Sequence, residues 1–264
     1  MPAMPVRKSR DFPQDNANPN YGEGCYRRRI GLKAGPGHVV GELEDDCHGF
    51  RLRLEHDGAK VTGITGETPR IPMNTCSGAL RPLRELIGLP LNMPAPEIVG
   101  SVDPRSNCTH LYDLALLAMA HVGWDKPSRI YDVVVDDQPG GGRPARAEVF
   151  LDGESMVRWE VCWTSIVTPA ELRGKPIMQG FSAWANQHFH GLEKEAAFVL
   201  SKGIFVGMSR RYDMSKIGGM PALYQASMMG VCYSYSEGVV ERAVRLSGSV
   251  RDFSRHPEQL LKFT

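Results

Sequence analysis

Residues 38–67 read HVVGELEDDCHGFRLRLEHDGAKVTGITGE, and this stretch decides the fold of the first half of the chain. Within it the run FRLRLE alternates apolar and charged side chains, which is the period of a strand with one buried face. The tripeptide HDG that follows is a turn signal, and the apolar positions resume in AKVTGITGE. The pattern therefore predicts an antiparallel meander, which the upstream run YRRRIGL extends by one more strand.

Helical spacing follows the meander. In CSGALRPLRELIGL the residues Leu80, Leu83 and Leu86 predict a helix that opens with Cys76 and stops at Gly88. The segment CTHLYDLALLAMAHVG predicts a second helix, which opens with Cys108. The first half thus consists of strands followed by helices.

The second half repeats this order. RIYDVVVDD predicts a strand, and AEVFLDGESMVRWEVCW predicts a hairpin around Asp152-Gly153. A long helix is expected from about Phe181 to Leu200, and the last amphipathic stretch, 222–245, is expected to be helical too. The order favours an α+β fold. Its predicted parts are a flexible N-terminal arm at 1–24, an α+β metal-binding domain at 25–126, and a second α+β domain at 127–264 packed on the first.

Composition narrows the function classes. The chain of 264 residues has 42% hydrophobic and 23% charged residues, which is typical of a globular protein. Its 31 Lys and Arg balance 30 Asp and Glu, so we expect no nucleic-acid partner. No apolar run is long enough for a membrane span or a signal peptide, which predicts a cytoplasmic protein without a membrane partner. The six cysteines are then expected to be metal ligands, reactive thiols or core residues.

Four residues at the ends of the predicted elements form a candidate metal site. They are His48, Cys76, Cys108 and His110, with Cys47 as a substitute ligand. Two thiolates and two imidazoles suit tetrahedral zinc and also a soft iron site. The spacing lacks the paired CxxC form of zinc ribbons, so core positions are the alternative interpretation of the same residues.

Several motifs in order carry a family resemblance, from about Tyr26 to Phe263. They are DDCHGFRLRLEHDG, PMNTC, LRPLRELIGLPL, NCTHLYDLA and CYSYSEGVVERAVRLSGSVRDFS. Together they resemble a bacterial family of domains of unknown function that is marked by a Cys-Thr-His-Leu motif. The layout of the first half also resembles iron–sulfur scaffold proteins of the IscU and NifU type. That resemblance implies that His48, Cys76, Cys108 and His110 meet at one metal or cluster.

This branch of the family resembles phenylcoumaran γ-formaldehyde lyase of lignin-aromatic catabolism. The resemblance implies a lyase that breaks a carbon–carbon bond of a small aromatic substrate, releasing formaldehyde and forming a stilbene. Zinc, or alternatively iron, could assist at an oxygen, and no nucleotide or flavin is expected. Two alternatives are a non-catalytic zinc or iron–sulfur scaffold protein and a metal-dependent hydrolase of an aromatic substrate.

Candidate catalytic residues lie outside the predicted ligands. Asp46 stands beside His48, and Asp45 is expected there as a base or as a partner that orients a ligand imidazole. His188, Tyr212 and Tyr233 are the other candidates. On a helix His188 and His190 would be about 200° apart, so only one of them could face the site.

Candidate substrate-binding residues come from GMSRRYD and the tyrosines after it. Arg210 and Arg211 could hold a phenolate or carboxylate through a forked pair of hydrogen bonds, and Tyr224 could line an aromatic pocket. Surface ion pairs and core packing are the alternative interpretations. The segment PGGGRP reads as a hairpin turn and not as a nucleotide loop. The apolar second-half helices are compatible with a homodimer.

Overall fold

The structure is a computed structural model that describes residues 16–263. The strands are β1 (Cys25–Gly35), β2 (His38–Asp45), β3 (Gly49–His56), β4 (Val61–Arg70), β5 (Ser128–Asp136), β6 (Ala145–Leu151), β7 (Glu154–Cys162) and β8 (Ser165–Thr168). The helices are α1 (Ala95–Ser101), α2 (Thr109–His121), α3 (Phe181–His188) and α4 (Gly191–Gly207). The α+β class expected from the sequence is confirmed.

All eight strands form one antiparallel sheet in the order β4-β3-β2-β1-β5-β6-β7-β8. The first and second halves meet at the β1–β5 pair, where Ile30 lies opposite Tyr131. The predicted domain boundary near residue 127 therefore falls between two adjacent strands of a single sheet. Each half contributes a four-stranded meander followed by two α-helices.

The two long helices cover one face of this sheet. Helix α2 packs on β1, β2 and β3, whereas α4 packs on β1, β5, β6 and β7. An ion pair between Lys202 Nζ and Asp113 Oδ2, 3.3 Å apart, joins the two helices side by side. The described helices include none with the length and apolar character needed to cross a bilayer.

The strand predictions are confirmed. Strands β1 to β5 occupy the predicted runs, and the hairpin turns at Asp152 and Gly153, where φ is +51° and +88°. Glycine adopts these left-handed dihedral angles without a steric cost, and aspartate tolerates them better than most residues. On β3 the side chains of Phe50, Leu52 and Leu54 are fully buried, as the alternation predicts.

Three helix predictions need correction. The expected helix after Cys76 consists of two 3-10 turns, Cys76–Leu80 and Pro82–Leu86, because Pro82 has no N–H to continue the ladder. The expected helix from Phe181 to Leu200 is broken between α3 and α4, since Phe189 and His190 are extended and Gly191 has φ +52°. The backbone is therefore not helical at this point, although the sequence pattern predicted one continuous helix.

The last amphipathic stretch is also not one helix. It contains short 3-10 turns, which are Ala222–Tyr224, Ala226–Met228, Tyr233–Tyr235 and Val240–Arg242. Its backbone groups bond within short turns and to distant segments instead of along one helix, as when Tyr233 N donates to Asn107 O at 2.9 Å. Gly230 and Gly238, with φ of +74° and +77°, turn the chain between the short turns.

The N-terminal arm is described only from residue 16, and the rest of that prediction lies outside the described residues. Asn16 is buried, and Ala17 forms a β-bridge with Tyr212. The Asn18 backbone N–H donates to Arg211 O at 2.9 Å. Residues 16–18 are therefore held against the segment that follows α4.

Candidate metal centre

A buried carboxylate at the end of β2 organises the site. Asp45 Oδ2 accepts from the Tyr26 hydroxyl at 2.8 Å and from Arg28 Nη2 at 2.8 Å. Asp45 Oδ1 accepts from the backbone N–H groups of Cys47 and His48 at 2.9 and 2.8 Å. Because its lone pairs are occupied by these donors, Asp45 is fixed in place before any ligand binds.

Two histidines lie beside this carboxylate. His48 Nδ1 is 2.9 Å from Asp45 Oδ1, and His110 Nε2 is 3.9 Å from Asp45 Oδ2. The two imidazole rings stack with centroids 3.9 Å apart. Candidate ligand atoms of Asp45, His48 and His110 all lie within 4.8 Å of one another, so this buried cluster could hold a metal ion. The side chains of His48 and His110 remain 13% and 11% exposed, which leaves a narrow approach.

Burial and nearby charges shift the pKa values of Asp45 and His110, so the two side chains differ in charge at neutral pH. Burial would raise the pKa of Asp45, but His48 and Arg28 outweigh it and hold the pKa well below its ordinary value. Burial, assisted by His48 and Arg28, lowers the pKa of His110 well below its ordinary value. The centre therefore combines a carboxylate anion with a neutral His110 imidazole, which has a free lone pair.

The imidazole nitrogens of the two histidines are better suited to bind a borderline cation than the Asp45 carboxylate is. In a metal-bound state, His48 would donate its Nδ1 proton to the ionised Asp45 and bind the metal through Nε2. A carboxylate that orients a ligand imidazole is a common partner in zinc sites. Asp45 already accepts hydrogen bonds from Tyr26 and Arg28, so it is suited to orienting the ligand imidazole and not to binding the metal directly.

Cys108 adds a sulfur next to the imidazoles. Its Sγ lies 3.9 Å from His110 Nδ1. Two ligand atoms of one tetrahedral zinc ion, one sulfur and one nitrogen, are separated by roughly 3.6 Å. The observed spacing is close to this value, so Cys108 can join a metal held at this edge of His110.

The four predicted ligands are thus only partly brought together. His48 and His110 meet, Cys108 contacts His110, and Cys76 lies apart with its Sγ 3.4 Å from Ser234 Oγ. Cys47 is buried, and its Sγ faces Ser209 Oγ at 3.9 Å, away from the imidazoles.

Arg70 is a supporting residue that sequence reasoning missed. Its guanidinium donates to three carbonyl oxygens of the loop around His48, those of Asp45, Asp46 and His48. It also donates to Glu44 Oε1 at 3.0 Å. The side chain is 8% exposed, so this clamp holds the loop from inside the protein. No pattern around Arg70 in the sequence distinguishes it from the other arginines.

Tyr26 and Arg28 were missed as well, although the sequence contains a signal for them. The apolar face of β1 carries these two residues together with Ile30 and Leu32, and all four side chains are buried. A charged residue on an apolar face requires a buried partner. That requirement points to the carboxylates of β2, and Arg28 is indeed opposite Asp45 in the sheet register.

Asp46 points away from the imidazoles and toward Arg210. Its Oδ2 accepts from Arg210 Nη1 at 2.9 Å, whereas its Oδ1 has no hydrogen-bond partner among the described residues. Burial raises the pKa of Asp46 to about 7 despite the lowering effect of Arg210. Arg210 also pairs with Asp137 at 2.8 Å and Asp252 at 3.2 Å. It is therefore an internal clamp rather than an open fork for substrate.

The other predicted site residues are dispersed. Arg211 stacks on Trp163, with its guanidinium carbon 4.4 Å from the ring centroid, and donates to Gln138. His188 is exposed at the end of α3 and packs edge-on against Trp184 and Phe189. None of these contacts involves the imidazole cluster.

The three predicted tyrosines also differ in position. Tyr212 and Tyr224 are 39% and 50% exposed. Tyr233 donates its backbone N–H to Asn107 O at 2.9 Å, directly before Cys108 in the chain. Its side chain lines an open groove of about 550 Å³, whose other lining residues are Arg81, Pro82, Glu85, Asp103, Arg105, Ser106, Gly230, Ser236 and Glu237. No member of the imidazole cluster lines this groove.

Comparisons with known proteins add no assignment to this geometry. No protein-family model matches the chain, and no curated protein matches it either.

Proposed function

We propose that His48 and His110 bind a metal ion, most favourably zinc, in a cytoplasmic lyase that releases formaldehyde from a phenylcoumaran-type aromatic alcohol. The observation that carries the metal site is the placement of Asp45: one oxygen is 2.9 Å from His48 Nδ1 and the other 3.9 Å from His110 Nε2. The substrate class comes from the resemblance of the sequence motifs to the lyase branch of their family.

The ligand set supports zinc in its catalytic form. His48 and His110 supply two nitrogens of the buried cluster. Cys108 lies at the Nδ1 edge of His110 and would complete a set of three ligands after its side chain moves, which leaves the fourth tetrahedral position open. A bound zinc ion would act as a Lewis acid that stabilises an alkoxide or a departing phenolate. Asp45 and Arg28 form the buried support that fixes the ligand geometry.

The proposed reaction is a fragmentation of the substrate. The primary alcohol loses its proton, its carbon–carbon bond breaks, and the carbinol carbon leaves as formaldehyde. The released electron pair forms the carbon–carbon double bond of the stilbene and expels the aryl ether oxygen as a phenolate. The low pKa of His110 keeps this metal ligand unprotonated at neutral pH, and the alcohol proton passes to water.

The first experiment is elemental analysis of the purified, untagged chain with its visible spectrum. We expect about one zinc per chain and no colour. Variants His48→Ala and His110→Ala should each lose most of the metal, and His190→Ala, which changes an exposed residue at the start of α4, should retain it. Full zinc content in both cluster variants would reject the ligand assignment.

The activity is tested separately with a phenylcoumaran substrate. The zinc-loaded protein should yield formaldehyde and a fluorescent stilbene in equal amounts, and His110→Ala should reduce turnover at least 100-fold, since it removes a metal ligand. Absence of both products from a zinc-loaded, folded protein would eliminate the lyase proposal and leave the metal site standing.

A second candidate is a zinc site that only stabilises the fold. The low exposure of His48 and His110, together with a groove that none of them lines, favours this alternative. The two candidates differ in ligand exchange. A catalytic site should accept an exogenous ligand such as azide in the cobalt-substituted protein and change its visible spectrum, whereas a closed structural site should not.

A further inference from the structure

A segment late in the chain is bonded to the loop between β2 and β3 that carries His48. This segment, residues 249–263, is named the rear clasp. The backbone N–H of Arg251 donates to Asp46 O at 2.8 Å, two residues before His48 in the chain. The rear clasp therefore contacts the loop through main-chain groups, whose positions are fixed more closely than those of long side chains.

A buried carboxylate holds the second part of the rear clasp. Leu261 N and Phe263 N both donate to Glu44 Oε2, at 2.6 and 3.3 Å, and Glu44 is buried. Leu261 and Phe263 have φ of +69° and +56°, a left-handed conformation that costs free energy in residues other than glycine. Strain of this kind persists only where the surrounding structure enforces it, so the docked position of the clasp is specific.

The aromatic ring of Phe263 lies behind His48. A methyl group at Gly49 would lie 2.9 Å from Phe263 Cδ1, so the ring packs on the backbone of the residue that follows His48. The guanidinium carbon of Arg51 is 4.5 Å from the centroid of the same ring. Phe50 lies on the side of the imidazoles, with its ring centroid 5.8 Å from that of His48, and it alternates with Gly49 and Arg51 on β3. Phe263 therefore supports the loop from the face of the sheet opposite the metal site.

Arg70 connects the rear clasp with the loop. Its Nη1 donates to Ser249 O at 2.9 Å and to Asp46 O at 3.0 Å, and its Nη2 donates to Glu44 Oε1 at 3.0 Å. Glu44 thus accepts from Arg70 through one oxygen and from the clasp through the other. Because the loop, Arg70 and the clasp form one bonded network, a displacement of the clasp also displaces the loop.

We propose that Phe263 is a positioning residue for the metal site: the docked rear clasp fixes the backbone around His48 and thereby sets how tightly the site holds its metal. This inference rests on the metal site proposed above and not on the lyase activity. The loop has only residues 46–48, and the clasp contacts Asp46 before His48 and Gly49 after it. A metal ligand has to be held within about 0.5 Å of its productive position, so a small shift of this backbone is sufficient to weaken the site.

Transfer of zinc from the loaded full chain to a chromogenic chelator tests the proposal. Phe263→Ala should release zinc at least tenfold faster than the wild-type chain and should shift the ligand-field bands of the cobalt-substituted protein. Phe263→Tyr keeps the ring and should restore both readouts. The matched control is Phe150→Ala, because Phe150 is also half-buried but lies on β6, in the other half of the sheet. This control should match the wild-type chain in both readouts.

Gly49→Ala tests the same contact from the loop. The added methyl group would push the Phe263 ring away, so we expect zinc release to be faster, as in Phe263→Ala. In the Phe263→Ala background the same change should add little, because the ring that it displaces is absent. Additive effects of the two changes would contradict a shared action through the ring.

The outcomes separate the rear clasp from the metal site. Near-UV circular dichroism identifies any variant that fails to fold, and Phe263→Leu takes the place of Phe263→Ala in that case. Unchanged zinc release and cobalt bands in the folded variant, or an equal change in Phe150→Ala, would overturn the role of the clasp and leave the metal site standing. A wild-type chain that takes up no zinc would reject the metal site and the clasp together.

Discussion

Each half of the sheet contains a buried arginine and tyrosine that share one carboxylate, but within residues 16–263 only the carboxylate of the first half has histidines beside it. In the first half Tyr26 and Arg28 on β1 donate to Asp45, and these three residues form the first unit. In the second unit Tyr131 and Arg129 on β5 donate to Glu195 of α4. Both pairs are two residues apart on neighbouring antiparallel strands.

The carboxylates of the two units differ in burial and in further partners. Asp45 is fully buried and also accepts from His48, whereas the Glu195 side chain is 21% exposed. In the second half, the buried His121 has its Nε2 3.4 Å from Pro127 O. The same arrangement of charged residues therefore supports a cluster that could hold a metal ion in one half and the packing of a helix in the other.

Removing each carboxylate tests this difference and has the largest expected effect. Asp45→Ala leaves Arg28 and His48 buried without their acceptor, so we expect a loss of about 3–5 kcal/mol in the free energy of unfolding. Glu195→Ala should cost about half as much, because water can reach the exposed side of that pair. Urea denaturation measures both values.

Equal losses in the two variants would contradict the distinction between the units. If Asp45→Ala does not fold, Asp45→Asn keeps the size of the side chain and still removes the charge. Glu195→Gln is then the matched variant, because it also keeps the size of the side chain and removes the charge.

Sequence reasoning predicted the sheet because alternation on β1 to β7 is a local signal. It predicted that His48 and His110 meet because each stands at the end of an element, where strand ends and helix starts converge. It could not rank Asp45 above Asp46, since the direction of each side chain depends on the pairing of β2 with β1. The partner of each carboxylate, Arg28 or Arg210, is fixed by tertiary packing.

The failures of the sequence prediction have physical causes of the same kind. The break between α3 and α4 depends on two extended residues whose side chains give no sequence signal. The stretch 222–245 has helical spacing, but its backbone groups bond distant segments, as in the bond from Tyr233 N to Asn107 O.

Arg70 tests the role of the loop around His48, which belongs to the first unit. Arg70→Lys cannot reproduce the forked bonds to the carbonyls of Asp45, Asp46 and His48, so the loop should lose order. We expect about 2 kcal/mol less stability and roughly tenfold weaker zinc binding, measured by competition with a chromogenic chelator. Arg51→Lys, at an exposed ion pair of β3, is the control and should change neither quantity much.

A zinc affinity that is unchanged in Arg70→Lys would show that the loop geometry does not depend on this clamp. Weaker zinc binding with an altered spectrum of the cobalt-substituted variant would instead show that Arg70 positions the ligand. Global destabilisation alone would not move the ligand-field bands of the folded fraction.

Asp46 is expected to give a smaller, pH-dependent effect on the same loop. Its folded pKa of about 7 lies above the ordinary value of 3.8, so the folded state binds more protons between these values. Stability should therefore fall as the pH rises from about 4 to about 7. Asp46→Asn should flatten this part of the profile by about 1 kcal/mol or more, since one pKa unit corresponds to 1.36 kcal/mol.

Asp252 is the matched control because it contacts the same nitrogen of Arg210. Burial would raise the pKa of Asp252, but its hydrogen bonds with Ser254 and the charge of Arg210 lower it. Asp252→Asn should therefore remove stability that is present above the ordinary pKa and lost in acid. Profiles of the same sign in the two variants would contradict the assignment for Asp46.

Tyr224 lies outside both units and should give the smallest effect. Its side chain is 50% exposed, so Tyr224→Phe should change the free energy of unfolding by no more than about 0.5 kcal/mol. If Tyr224 binds substrate through its hydroxyl, the same variant should raise the KM for a phenylcoumaran substrate while its zinc content stays at the wild-type value. An unchanged KM would remove Tyr224 from the substrate site and leave Tyr233, which is half-buried next to Cys108, as the nearer aromatic candidate.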